Sequence, residues 1–122
     1  MTLGAALAVF TIAPAGAASM HTAPLQPGDG EKLVCTVVNV NAKTLQMAAQ
    51  IVDRFGDNVT DFVRTDWNAD ETTIITLRAD SSNPNARYCK IVVTGGRKAD
   101  VAASLQACSY DESACSSPVA AH

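Results

Sequence analysis

Arg87-Tyr88-Cys89-Lys90-Ile91-Val92-Val93-Thr94, with Gly95-Gly96 directly behind it, is the stretch on which the fold of this chain turns. Tyr, Ile, Val and Thr pack well on a pleated surface, and a glycine pair is a strong stop for such a run, so the segment reads as a strand. Side chains alternate along a strand, which puts Cys89, Ile91 and Val93 on one face and Tyr88, Lys90, Val92 and Thr94 on the other. The first face is the core face. A cysteine on it, paired with one far back in the chain, would tie the fold together.

The partner strand lies upstream. Lys32 to Val40 reads as a central strand, with Leu33, Cys35 and Val37 on one face and Val34, Thr36, Val38 and Val40 on the other. Between the two, Val59 to Trp67 alternates with Val59, Val63 and Trp67 on one face, and Thr72 to Ala79 is β-branched with Ile75 and Leu77 in line. The polar turn Asn68-Ala69-Asp70-Glu71 joins these two runs into an expected hairpin. Asp80 to Asn85 is a loop by composition. Two segments fit either period. Leu45 to Asp53 offers Leu45, Met47, Ala49 and Ile51 to a sheet, or Leu45, Ala48, Ala49, Val52 and Phe55 to a helical stripe capped at Gly56. Val101 to Cys108 offers Val101, Ala103, Leu105 and Ala107 as a strand, or a helix starting at Asp100.

The chain has four cysteines, which allow three pairings, and facing separates them. Cys35 and Cys89 both sit on apolar strand faces and can meet in the core. Cys108 falls on the polar face of its strand with Ser104 and Gln106, placed to close a short loop to Cys115. In the chain-entropy account the longer loop stabilises by about 4 kcal/mol and the shorter by about 2.5 kcal/mol.

With 122 residues the chain is sized for one domain. Residues 1–19 carry no charge, Leu3 to Ala13 is an apolar run, and small residues follow Pro14. That pattern predicts a signal peptide over residues 1–17, although a secretory start should carry Lys or Arg and none precedes Lys32. A membrane anchor takes about 20 apolar residues, and Pro14 breaks this run sooner. Residues 18–30, with two prolines and two glycines after His21, read as a flexible leader; residues 31–115 form a single β-rich domain; residues 116–122 are a loose tail. Export and two disulfides together predict a secreted or periplasmic protein. The formal net charge is −3 and the basic residues are scattered, which argues against nucleic acid and anionic membranes as partners; no membrane insertion is expected once the signal is removed.

No arrangement of residues proclaims chemistry. A Ser-His-acid site needs a held imidazole, and His21 and His122 lie in the leader and the tail. Of Asp53, Asp57, Asp61, Asp66 and Asp70, all but Asp61 sit in or beside turns, where Asp bonds the local backbone. Asp66 to Asp70 imitates the start of a calcium loop, but Glu71 stands where Gly is required and Leu77 where a bidentate Glu is required. Asn58-Val59-Thr60 matches a glycosylation sequon. There is no Cys-x-x-Cys, so the cysteines read as structural, with no metal and no cofactor. Trp67, the only tryptophan, reads as core in line with Val59 and Val63.

The run Leu33-Val-Cys-Thr-Val-Val-Asn-Val40, then Arg-Tyr-Cys-Lys-Ile-Val-Val, a Gly-Gly turn, Val-Ala-Ala-Ser-Leu-Gln-Ala-Cys108 and a final Cys115 resembles a group of small uncharacterised bacterial exported proteins. That group shares a signal peptide, a Val-rich cysteine strand, a Tyr-Cys-Lys strand and a cysteine pair near the end, with no function attached. The resemblance implies β-structure at both ambiguous segments. The expected fold is therefore an all-β antiparallel sandwich of about six strands with two disulfides, the alternative being α+β with helices at 44–55 and 100–108. The expected function is a non-catalytic exported binding or structural module with a protein or carbohydrate ligand. A fimbrial-type assembly subunit is the second reading, marked by an unpaired sheet edge. A small secreted enzyme or inhibitor is the third, the inhibitor resting on a rigid loop at Asp80 to Ala86.

Overall fold

The structure, a computed structural model, describes residues 17–53, 55–78 and 86–122. The expected signal peptide, apart from Ala17, and the loop at 80–85 lie outside the described residues. The strands are β1 (Ala17–His21), β2 (Glu31–Asn39), β3 (Leu45–Asp53), β4 (Asn58–Trp67), β5 (Thr72–Arg78), β6 (Arg87–Thr94), β7 (Val101–Ser109) and β8 (Val119–Ala120). They form two antiparallel sheets of four, ordered β1-β6-β3-β4 and β5-β2-β7-β8. The fold is the all-β sandwich.

The two cysteine strands are central, one in each sheet. Cys35 on β2 and Cys89 on β6 are disulfide-bonded with Cα atoms 6.2 Å apart, linking the two layers through the core. Cys108 is bonded to Cys115 across the loop that follows β7. Around the central bond lie Leu33, Val37, Ile91, Val93, Leu105 and Trp67, all fully buried. β6 alternates buried and exposed as its sequence requires.

Both ambiguous segments are strands. β3 lies between β6 and β4 and buries Leu45, Met47, Ala49 and Ile51. A helix there would have turned Met47 and Ile51 off its apolar stripe, so burial outweighs the helical propensity of Ala and Gln. The helix expected to start at Asp100 is absent: Asp100 instead ends a single 3-10 turn, Lys98–Asp100, where its Oδ2 accepts the N–H of the N-cap residue Arg97 at 2.8 Å, and the chain leaves it as the strand β7. Gly95 makes the preceding turn possible at φ +84°.

Four expectations need correction. The described residues hold eight strands, because the leader and the tail each add one. Residues 17–25 run along the outer edge of β6: Met20 is buried opposite Ile91, the Thr22 N–H donates to the Cys89 carbonyl at 2.9 Å, and Leu25 and Arg87 exchange backbone bonds. The leader is ordered there because β6 has an edge of backbone groups to satisfy and the core a gap for Met20 to fill. The tail is likewise tied down, with β8 paired to Ser104 and Leu105 and the Ala121 N–H donating to the Ala103 carbonyl at 2.9 Å.

The third correction concerns the expected hairpin between β4 and β5. These strands belong to different sheets, and Asn68 to Glu71 carries the chain across from one layer to the other. The fourth is the parity of β4. Leu45 pairs with Trp67 but Met47 with Arg64, so β4 holds an extra residue there, a bulge that reverses its faces as far as Thr60, and a second register shift lies between Ile51 and Val52 of β3. Trp67 is core as expected; Val59 and Val63 point out instead of joining it.

Candidate functional site

The β3–β4 hairpin is held from its base. Asp53 Oδ1 accepts the N–H groups of Phe55 at 2.9 Å and Asp57 at 3.0 Å, and Gly56 takes φ +85°. This turn projects Phe55 into solvent, 69% exposed. Beyond it β4 is, among the described residues, the edge of its sheet, paired with β3 alone. Its bulge leaves Val63 68% exposed, with Val59 and Phe62 also open, and Ile74 of β5 is exposed on the other layer. An edge presents backbone N–H and C=O groups ready to pair with another strand; this one carries neither Lys nor Pro, and what guards it is its two register shifts and the charged Arg64 and Asp66.

At the far end of β4 the backbone is locked. Asn39 is fully buried; its Nδ2 donates to the carbonyls of Trp67 at 2.8 Å and Lys43 at 3.0 Å, while its Oδ1 accepts the Asn41 N–H at 2.9 Å. The calcium-like segment folds here as a plain turn. Glu71 accepts the Asn68 N–H at 3.0 Å and is ion-paired to Arg64, so its carboxylate is committed within the turn. Nothing in the sequence reading singled out Asn39, although a polar residue ending a Val-rich strand was a usable signal.

The opposite side of the sandwich is closed. Thr22 bridges to Ala121, and His21 and His122 exchange both backbone hydrogen bonds at 3.0 Å. The segment at β8 thereby joins β7 to β1, stitching the two sheets along one side and leaving β4 and β5 as the free edges on the other. Beside this seam is a cleft of about 450 Å³ lined by His21, Thr22, Pro24, Tyr88 and Lys90. His21 meets Tyr88 edge-on, ring centroids 5.8 Å apart. The two histidines, separated in the sequence reading as ends of leader and tail, are thus neighbours.

The Cys108–Cys115 loop is a third rigid feature. Asp111 Oδ1 accepts the Ser109 and Ser113 hydroxyls, each at 2.7 Å, and the Ser113 N–H at 3.0 Å. These bonds, the Ser113 N–H first, hold its carboxyl down to about 2 from the usual 3.8. Arg97 does the same for Asp100 through its N–H, lowering that carboxyl. Lys32 reaches Glu112 at 2.7 Å, and Arg78 lies 4.6 Å from the Tyr110 ring centroid, which fastens the loop to β2 and β5.

No family model matches the chain, and no curated protein or solved structure is significantly similar to it.

Proposed function

We propose that this chain is a non-catalytic exported binding module that receives an extended segment of a partner protein along the open β4 edge. The observation that carries the reading is the outer edge of the long strand β4, open among the described residues and flanked by exposed Phe55, Val59, Phe62 and Val63, on the side of the sandwich opposite the stitched seam. Strand addition takes its affinity from main-chain bonds and its selectivity from alternate side chains, and β4 offers both. The two disulfides fit an oxidising, extracellular-type compartment, and the resemblance and the apolar N-terminal run support export to the periplasm or beyond.

A photo-crosslinking residue at Val63, in cells that export the protein, tests this directly. An adduct formed from position 63 and missing from the exposed β7 position Ala102 is expected. Equal adducts from both positions, or none from 63, would sink the proposal, as would a turnover that vanishes on a single carboxylate substitution. The open edge also favours a second reading, a self-assembling surface subunit. There the adduct would be a dimer of this chain, and sedimentation would depend on its concentration.

A further inference from the structure

We propose that His21 and His122 form a two-imidazole site for a transition-metal dication, Cu²⁺ ahead of Ni²⁺ and Zn²⁺. The two residues exchange both N–H···O=C bonds at 3.0 Å, the pattern of a hydrogen-bonded antiparallel pair. Such a pair sets its Cα atoms about 5.5 Å apart with both side chains on one face. That face is the outer one: Met20 and Thr22, on either side of His21, are buried, Ala121 packs on the core, and both histidines are exposed. Two imidazoles are therefore presented side by side to solvent, a spacing at which one ion can take a nitrogen from each. Imidazole suits Cu, Ni and Zn, and for a nitrogen site without imposed geometry the order of affinity peaks at Cu²⁺.

Tyr88 limits the motion of the His21 ring by its edge-on contact and leaves the cleft beside it open for water or an added ligand on the metal. The charged group facing the site is Lys90, directly opposite His21 across β1 and β6, with the neutral Gln50 next in the row. A fixed cation there opposes a second one, so Lys90 weakens the site without abolishing it. Because the ligands sit on either side of the seam, the ion would fasten the leader to the tail. Among the described residues no group of three or more His, Cys, Asp or Glu gathers for a metal, so the chain offers the ion these two imidazoles and leaves its other positions to water or an added ligand.

The test is titration of the metal-free, oxidised full chain with Cu²⁺ in a non-coordinating buffer, followed by amide NMR and thermal melting. Paramagnetic broadening centred on His21, Tyr88 and His122, with a raised melting temperature, is expected. His21→Ala and His122→Ala should each weaken binding by about tenfold or more. Lys90→Gln should tighten it, an outcome that loss of folding cannot imitate. Broadening that is absent, or that survives both histidine substitutions in chains with native spectra, overturns the site. So does a response of these amides to inorganic phosphate with none to Cu²⁺, which would mark an anion site built on Lys90.

Discussion

Asn39 shows how one polar side chain can organise two loops. Its amide satisfies carbonyls on the Asn41–Thr44 connection and at the end of β4, and its own backbone N–H and C=O bond Glu71 at 3.1 Å and Asp70 at 2.7 Å. Asn39→Ala removes the donors of two carbonyls with no replacement in the core. A loss of roughly 2 kcal/mol in urea denaturation is expected. Asp111 supplies a prediction of different kind. Because its folded value is depressed, its contribution to the loop is complete above the unfolded value near 3.8 and disappears as pH falls through about 2. The Ser113 amide signal should titrate with a midpoint near 2; a midpoint near 4 would remove Asp111 from this role.

At the scale of elements, what could be read beforehand follows from how each strand is specified. β2 and β6 are central, bury one face fully and carry β-branched residues, so alternation located both and paired their cysteines. β3 and β7 carry residues with helical propensity, and only the demands of a two-layer core decide them. β4 misleads because a bulge has no side-chain signature: the extra residue before Trp67 exchanges the faces from Arg64 back to Thr60, and a second register shift follows between Ile51 and Val52 of β3. β1 and β8 were hidden for another reason. They are short and rich in small or polar residues, and they are recruited by the backbone bonding of β6 and β7 instead of by their own pattern. The histidine pair depends on these two strands, and the outward residues of β4 on its register shifts, so neither candidate site was visible in the chain.

For the whole molecule the central disulfide matters most. It closes a loop with a sequence separation of 54, against 7 for Cys108–Cys115. Replacing Cys35 and Cys89 together by Ser should cost about 4 kcal/mol of stability, and replacing Cys108 and Cys115 about 2.5 kcal/mol. Chemical denaturation of the two double variants checks the ordering; equal losses would mean that the inter-sheet bond does not constrain the unfolded chain as proposed.

The strand order also sets the timing of folding. Of the long strands among the described residues, only β3 and β4 are both consecutive in the chain and paired in a sheet; β2 must wait for β5 and β7, and β6 for β1 and β3 to be brought near. Pairings between distant segments close large loops and form slowly, whereas a hairpin closes in microseconds. The β3–β4 hairpin is thus the natural first structure, and it displays its outer edge before there is a second layer to stand beside it. A newly made chain passes through a stage in which that edge is its most finished surface, and how soon any other strand, a sibling chain's included, meets it there is decided by concentration.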